Sequence, residues 1–190
     1  MKVLRIDASI KPQGSISLQL TDDIIAKLGA TDVVTRKAAD VPAIDGAWLG
    51  AVFTPAENRS AEQQEIAAFS DTLIDEIKTA DVVVIGVPVY NFNIAAGLKN
   101  WIDQIVRAGV TFQYTETGPQ GLLPNKRTIL AFSSDGTAAG SDIDFAQRYM
   151  LYILGFVGIT DVTTVTAQQM AFDKDSALKF AADQISSLAA

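Results

Sequence analysis

The most informative segment of the chain reads Asp81-Val82-Val83-Val84-Ile85-Gly86-Val87-Pro88-Val89-Tyr90-Asn91-Phe92-Asn93. Its first half is almost continuously apolar and rich in β-branched residues, which is typical of a central strand in a parallel sheet that is covered on both faces. Its second half combines a proline with aromatic and amide side chains, which marks the exit from that strand. The segment therefore predicts an α/β protein with a buried parallel sheet.

Short β-branched segments and longer helical patterns alternate on both sides of this strand. The predicted strands are Val3–Asp7, Asp32–Thr35, Asp81–Val87, Thr128–Phe132 and Asp161–Thr166. The predicted helices are Ser15–Leu28, Ser60–Thr79, Ile94–Arg107, Asp142–Leu154 and Lys174–Leu188. This alternation predicts a single domain over residues 1–190, with a three-layer α/β fold around a five-stranded parallel sheet. The flavodoxin-like strand order 2-1-3-4-5 is favoured over half of a dinucleotide-binding fold, because the chain has no G-x-G-x-x-G motif.

The composition excludes several kinds of site and partner. The chain has no His and no Cys, so it can form no Ser-His-Asp triad, thiolate nucleophile, disulfide or His-ligated metal site. Its net charge of -7 argues against a nucleic-acid partner. No apolar run approaches the roughly 20 residues that span a bilayer, and the N-terminal segment lacks the apolar region of a signal peptide. We therefore expect a cytoplasmic protein with no metal, membrane or nucleic-acid partner.

Three loops follow predicted strands 1, 3 and 4, and they should meet at the carboxyl edge of the sheet, where ligands of such folds bind. The loop within Ala8–Ser17 offers hydroxyls and a helix N-terminus, which suit an anion, although Ser15 as a simple helix cap explains it slightly better. The loop Val87–Asn93 offers aromatics and amides that suit a flat heteroaromatic ring, with a well-capped turn as the alternative. The loop Ser133–Gly136 is small, polar and close enough to touch the far side of such a ring.

Five motifs allow a more specific interpretation. They are Val87-Pro88-Val89-Tyr90-Asn91-Phe92-Asn93, Lys99-Asn100-Trp101-Ile102-Asp103, Arg107-Ala108-Gly109-Val110-Thr111-Phe112-Gln113-Tyr114-Thr115, Gly118-Pro119-x-Gly121-Leu122 and Leu154-Gly155-Phe156-Val157-Gly158-Ile159. With them the chain closely resembles the FMN-dependent NADH-azoreductase family, flavodoxin-like homodimers that are also described as NADH:quinone reductases. The resemblance runs from Ser9 to about Val165.

The resemblance implies a binding role for residues of all three loops. The residues that match the FMN phosphate loop are Ser9, Ser15, Ile16 and Ser17. Those that match the flanks of the isoalloxazine are Val89, Tyr90, Asn91 and Phe92. Those that match the loop at its pyrimidine side are Ser133, Ser134, Asp135 and Gly136. Those that look like aromatics of the substrate cleft, some reaching across the dimer, are Phe112, Tyr114 and Phe156.

The activity implied by the resemblance is carried by the cofactor, with one FMN per subunit and no catalytic side chain. NADH delivers hydride to flavin N5 and leaves, and a quinone or azo compound then takes two electrons in a ping-pong cycle. An azo bond needs two rounds to give two amines. This agrees with a chain that has neither His nor Cys.

The sequence departs from the family pattern at Asp135, where the family often has the first glycine of a Gly-Gly pair. A carboxylate beside the pyrimidine edge would disfavour the anionic reduced flavin and lower its potential, unless it points into solvent. An acidic flavodoxin-like chain also fits a one-electron carrier that docks on protein partners, although the aromatics of the third-strand loop and the segment Val110–Thr115 favour a reductase cleft. The segment Ala38–Ala56 is too apolar for a free loop, so we expect it to pack on the chain itself or on a second subunit.

Overall fold

A parallel sheet of five strands forms the centre of the computed structural model, which describes residues 1–189. In chain order the strands of this sheet are β1 (Lys2–Asp7), β2 (Asp32–Lys37), β3 (Val82–Pro88), β6 (Arg127–Ser133) and β7 (Asp161–Ala167). A separate antiparallel hairpin consists of β4 (Phe112–Thr115) and β5 (Gly118–Gly121). The order across the main sheet is β2-β1-β3-β6-β7, and all its neighbours are parallel.

This order confirms the predicted flavodoxin-like topology but not its literal numbering. The predicted order 2-1-3-4-5 numbers only the strands of the main sheet. In the chain, the hairpin β4–β5 lies between the third and fourth strands of that sheet, β3 and β6. The hairpin escaped prediction because its strands are four residues long and mostly exposed, with glycine at both ends of β5. Such strands carry no alternating apolar pattern.

Across residues 1–189, five helices and two short 3-10 turns connect the strands, and a sixth helix follows β7. The helices are α1 (Ile16–Leu28), α2 (Gly46–Phe53), α3 (Ala61–Thr79), α4 (Ala96–Ile105), α5 (Phe145–Phe156) and α6 (Lys174–Ser186). Five of them confirm predicted helices with ends shifted by a few residues. Helix α3 begins with the capping box expected from Ser60 and Gln63, since each side chain accepts the other residue's backbone N–H.

The helices cover both faces of the sheet, which explains the continuous apolar character of β3. All seven residues of β3 are buried. Val83, Ile85 and Val87 pack with helices α3, α4 and α5, whereas Val82 and Val84 pack with α1 and α6. Because successive side chains of a strand point to opposite faces, a strand between two helical layers must be apolar at nearly every position.

The segment Ala38–Ala56 contains α2, a helix that the sequence analysis did not predict. Asp45 caps its N-terminus by accepting the Trp48 N–H at 2.8 Å, and the Trp48 indole N–H donates to the Gln104 side chain at 2.7 Å. The expectation that this segment packs on the chain itself is confirmed for its buried face, where Trp48 and Ala51 lie. Its other face leaves Phe53 74% exposed.

Candidate functional site

The N-terminus of α1 lies at the carboxyl edge of the sheet, directly against β3. Gly86 permits this approach, because a Cβ there would lie 3.2 Å from Thr21 Cγ2 and 3.3 Å from the Ser17 carbonyl oxygen. Ser15 caps the helix by accepting the Leu18 N–H at 3.5 Å, and its hydroxyl lies 3.2 Å from that of Ser17. The N–H groups of Ile16 and Ser17 have no acceptor inside the helix. A helix N-terminus with such free N–H groups can bind an anion, and Ser15 caps the same helix.

A tight turn follows β3 at Tyr90–Asn93. The N–H of Tyr90 donates to the Asn93 carbonyl at 2.9 Å, and the N–H of Asn93 donates back to the Tyr90 carbonyl at 3.0 Å. Both central residues have positive φ angles, 49° at Asn91 and 68° at Phe92, as in a type I′ turn. Asn tolerates this conformation, but for Phe it costs about 1–2 kcal/mol. Strain of this kind concentrates at ligand sites, and here it holds a phenyl ring that is 52% exposed.

The loop after β6 is held by the loop after β7. The Ser134 N–H donates to the Ala167 carbonyl at 3.0 Å, and the Ser134 carbonyl accepts the Met170 N–H at 3.1 Å. The Ala171 N–H donates to the Asp135 carbonyl at 2.9 Å. These bonds fix the backbone of the third predicted loop and carry Met170 to the same edge of the sheet.

The three predicted loops enclose one pocket with about 420 Å³ of empty space. The predicted residues that line it are Ser9, Ser15, Ile16, Val89, Tyr90, Ser133, Ser134 and Asp135. The first and second of these loops also touch directly, because the Tyr90 hydroxyl lies 3.4 Å from the Ser9 hydroxyl and accepts the Ile10 N–H at 3.4 Å. Distant parts of the chain thus form a continuous wall.

Four predicted binding residues lie outside the lining of this pocket. Ser17 is fully buried behind Ser15, and Asn91 and Phe92 form the exposed tip of the turn. Gly136 is exposed beyond Asp135, with open space where a Cβ would stand. The structure therefore places all four beside the pocket on the same loops.

Three lining residues were missed by the sequence analysis, namely Lys11, Pro88 and Met170. Lys11 and Pro88 lie within loops that were already singled out, so proximity along the chain could have suggested them. Met170 follows β7, and the rule that ligands bind beyond the carboxyl ends of parallel strands applies equally to that strand. Lys11 and Asp135 are the charged members of the lining, on opposite loops of the pocket.

The three predicted cleft aromatics cluster around Phe112 and do not line this pocket. The Phe112 ring centroid lies 5.5 Å from that of Tyr114 and 4.7 Å from that of Phe156. Phe112 is nearly buried, whereas Tyr114 is 76% exposed. The cluster joins the hairpin to the end of α5, outside the lining residues of the pocket.

Glycine motifs attach the hairpin to α5. A Cβ on Gly121 would lie 2.1 Å from the Gly158 nitrogen, so the two backbones can meet only where residue 121 has no side chain. Beside this contact the Leu123 N–H donates to the Val157 carbonyl at 2.9 Å. Two of the motifs that carry the family resemblance therefore have a structural explanation.

A buried turn connects α4 to the hairpin and explains a third motif. The Thr111 hydroxyl accepts the Arg107 N–H at 2.9 Å and donates to the Ile105 carbonyl at 2.7 Å. The Arg107 side chain is also buried, donates to the Ser70 hydroxyl at 2.9 Å and pairs with Asp71. These residues determine where Phe112 begins the hairpin, so their role is to support the fold.

Two kinds of feature are absent from residues 1–189. No group of three or more acidic side chains is arranged to hold a metal ion, in a chain that also lacks His and Cys. No helix in this part of the chain is both long and apolar enough to cross a membrane.

The fold and the pocket at its carboxyl edge define a flavodoxin-like protein. A family model described as flavodoxin-like fold matches residues 1–189. The FMN-dependent NADH:quinone oxidoreductase 1 of Jannaschia sp. is 56% identical over 188 residues, which cover 99% of this chain and 98% of that relative. The enzyme named FMN-dependent NADH:quinone oxidoreductase from Cereibacter sphaeroides is 49% identical over 193 residues, with 99% and 98% covered.

A solved structure agrees with these relatives. The FMN-dependent NADH-azoreductase of Bacillus anthracis, in complex with FMN, superposes with a TM-score of 0.87 at 27% identity, covering 97% of this chain and 95% of that one. The chain belongs to the family of FMN-dependent NADH:quinone oxidoreductases, which confirms the resemblance inferred from its motifs.

Proposed function

We propose that this protein is an FMN-dependent oxidoreductase that takes hydride from NADH and reduces quinones and azo compounds by two electrons. The pocket between the three loops is the observation that carries this proposal, because it has an anion-binding end at α1 and is bordered by the aromatic and amide turn after β3. The names of these relatives support the donor, the cofactor and both acceptor classes. Azo compounds would need two rounds and would give two amines.

The donor set of the pocket fits FMN. The residues that would hold the phosphate are Ser9, Ser15 and Ile16, which combine hydroxyls with the N–H groups of a helix N-terminus, and the buried Ser17 would support them through the Ser15 hydroxyl. The residues that would flank the ring are Val89, Tyr90, Asn91 and Phe92, and the residues beside its pyrimidine edge are Ser133, Ser134, Asp135 and Gly136. Hydride transfer at N5 is the chemistry that FMN supplies when it is bound.

The chain's own part in catalysis is to position and shield, with no side chain as catalytic residue. The Tyr90–Asn93 turn sets the plane on which a ring can lie, because its two positive φ angles fix the backbone within one strained conformation. We propose that NADH and the acceptor use the same open side of the pocket in turn. Initial-rate plots should then give the parallel lines of a ping-pong mechanism, and intersecting lines would contradict this order.

We also propose that the protein is a cytoplasmic homodimer with one FMN per subunit and that Phe112, Tyr114 and Phe156 border the substrate cleft. Helix α2 and the end of α4 leave an apolar groove with about 890 Å³ of empty space, which includes Phe53 and the edge of Phe112. A contiguous exposed apolar surface is typical of protein interfaces. A second subunit over α2 would cover Phe53 and bring the cleft aromatics near the shared surface.

The oligomeric state can be tested with two matched substitutions of exposed phenylalanines. Phe53→Asp should convert a dimer to a monomer in sedimentation velocity, because it places a charge in the proposed interface. Phe180→Asp is the control, since Phe180 is 49% exposed on α6, on the opposite face of the sheet. A monomeric wild type, or a dimer that tolerates Phe53→Asp, would contradict the proposed interface.

The proposed function is tested by a visible spectrum of protein that has been saturated with FMN and desalted. Retained flavin should bleach to the two-electron-reduced form on anaerobic addition of NADH, and a quinone should restore the oxidised spectrum. Flavin that stays oxidised with NADH, but accumulates a one-electron-reduced form under stepwise chemical reduction, would favour a carrier that docks on proteins. Protein that retains no flavin would contradict the binding-site assignment.

Two serine caps separate cofactor binding from fold stability. Ser15→Ala removes the α1 cap in the pocket, and Ser60→Ala removes the α3 cap elsewhere. Each should lower the free energy of unfolding by about 1 kcal/mol, as loss of an N-cap usually does. Only Ser15→Ala should weaken FMN binding, measured by fluorescence quenching. Equal effects of both substitutions on FMN affinity would contradict the phosphate assignment.

A further inference from the structure

We propose that the carboxylate of Asp135 lowers the midpoint potential of FMN in this pocket and so determines which acceptors the enzyme reduces well. This inference rests on the proposed function.

Asp135 lines the pocket through a backbone that is held in place. Its carbonyl accepts the Ala171 N–H at 2.9 Å, and the preceding residue, Ser134, is bonded through both its N–H and its carbonyl to the loop after β7. An aspartate side chain is short, so a fixed backbone keeps its carboxylate within a few ångströms of one place. Asp135 is solvent-exposed and also lines the pocket, so its carboxylate lies at the rim, within the region that the fixed backbone allows.

No basic side chain neutralises this carboxylate within residues 1–189. The five ion pairs in that part of the chain involve other acids, namely Asp7, Asp22, Glu76, Asp103 and Asp71. The other charged member of the lining, Lys11, belongs to the loop at the α1 end of the pocket and makes no ion pair with Asp135. The pocket is thus polarised, with a cation near the proposed phosphate end and an unpaired anion near the proposed pyrimidine end.

Reduction adds negative charge to the end that Asp135 occupies. Hydride transfer from NADH moves two electrons and one proton and releases NAD⁺, so the bound cofactor gains one negative charge. The next step returns two electrons and that proton to the acceptor, which takes a second proton from water. A fixed carboxylate disfavours reduced FMN, which carries the additional negative charge. It therefore weakens the binding of reduced FMN relative to that of oxidised FMN.

The expected size follows from Coulomb's law. Two unit charges about 10 Å apart, at the effective permittivity of about 20 that suits partly exposed protein sites, change an equilibrium about tenfold. We therefore expect Asp135→Asn to tighten the binding of reduced FMN about tenfold relative to oxidised FMN. For a two-electron couple, a tenfold change raises the midpoint potential by about 30 mV.

A raised potential has opposite effects on the two half-reactions. NADH should reduce the Asp135→Asn enzyme more readily, whereas electron delivery should become less favourable. Acceptors of low potential, such as azo compounds, should lose more rate than quinones of high potential, because the driving force of the second half-reaction is smaller for them. The ratio of azo to quinone turnover should therefore fall in the variant, which makes Asp135 a specificity-determining residue.

The test measures the midpoint potential of the FMN-loaded protein by anaerobic titration against a reference dye. Asp135→Asn removes the charge with almost no change of shape, and Asp135→Glu retains the charge. Asp142→Asn is the matched control, since Asp142 is exposed in the same connection between β6 and α5 but does not line the pocket. We expect the tenfold shift only in Asp135→Asn, with the other two variants within about twofold of wild type.

Ionic strength provides a second readout that a merely structural role would not move. The difference between wild type and Asp135→Asn should shrink as salt rises from about 0.01 M to about 1 M, because the Debye length falls from about 30 Å to about 3 Å. The inference is overturned if Asp135→Asn leaves the midpoint potential unchanged or if Asp142→Asn shifts it equally. It is also overturned if Asp135→Asn no longer binds oxidised FMN. A wild type that holds no FMN, or is not reduced by NADH, would instead refute the proposed function.

Discussion

Substituting Thr111 by valine tests whether the turn between α4 and the hairpin supports the fold as its hydrogen bonds indicate. The Thr111 side chain is fully buried, and its hydroxyl is the acceptor for the Arg107 N–H and the donor to the Ile105 carbonyl. Valine keeps the branched shape but removes the hydroxyl, so it changes hydrogen bonding and almost nothing else. The Arg107 N–H would then be left in a buried turn without its acceptor.

The magnitude follows from those two bonds. A buried donor that loses its partner costs about 1–3 kcal/mol, and loss of the bond to the Ile105 carbonyl adds about 1 kcal/mol. We therefore expect Thr111→Val to lower the free energy of unfolding by about 2–4 kcal/mol. Since single domains are stable by about 5–15 kcal/mol, the variant should still fold and allow measurement.

Urea unfolding followed by circular dichroism gives the comparison, with the slope m checked for constancy. Thr72→Val is the matched control, because its hydroxyl also donates to a backbone carbonyl, that of Ala68 at 2.9 Å, but on the exposed face of α3. The control should stay within about 0.5 kcal/mol of wild type. A loss below 1 kcal/mol in Thr111→Val, or equal losses in the two variants, would refute the assignment of Thr111 as the centre of this turn.

Three further predictions test other parts of the fold. Gly97→Ala should lower the free energy of unfolding in urea by about 1–3 kcal/mol despite the better helix propensity of Ala, because its Cβ would lie 2.7 Å from the Ala38 carbonyl oxygen. Gly50→Ala, where the Cβ enters open space, should raise it by about 0.5–1 kcal/mol, and changes of the same sign in both variants would contradict this explanation. Trp48→Phe should cost about 1–3 kcal/mol in the same assay, since it leaves the buried Gln104 oxygen without its 2.7 Å donor, and a neutral result would show that α2 is not held there. Hydrogen bonds from the Ser176 N–H and hydroxyl hold the pKa of Asp173 below its ordinary value. The contribution of Asp173 to stability is therefore present above its unfolded-state pKa and is lost as pH falls through its folded-state pKa. The difference in melting temperature between wild type and Asp173→Ala should therefore be largest near neutral pH and close in acid, and a difference independent of pH would refute this linkage.

The candidate site could be predicted from local sequence to the extent that its residues lie on loops after strands. A buried parallel strand is recognisable from its own composition, and its carboxyl end is where a ligand binds. That rule alone placed Tyr90 and Ser134 at one edge of the sheet, where both line the pocket. Applied to β7, the same rule also points to Met170, whose loop is joined to the pocket by hydrogen bonds to Ser134 and Asp135.

Helix α2 and the hairpin show where local patterns fail. Helix α2 is eight residues long and contains Gly46 and Gly50, which are poor helix formers, so its packing on α3 and the bond between Trp48 and Gln104 must stabilise it. The hairpin exists because Gly121 meets Gly158, a contact between residues 37 positions apart. Neither stabilising contact leaves a periodic signal in the segment that it stabilises.

Local sequence patterns specify the architecture, the excluded chemistry and the loops that surround the pocket. Apolar runs with short connections specify a covered parallel sheet, and a chain without His or Cys must leave redox chemistry to a bound group. Tertiary packing, in contrast, gives Ser15 its two roles as cap of α1 and lining residue, buries Ser17 behind it, and brings Lys11 and Asp135 to the pocket on different loops. The physical reason is that propensity and periodicity act within a few residues, whereas a binding site is a set of distances between strands, which packing across the whole chain establishes.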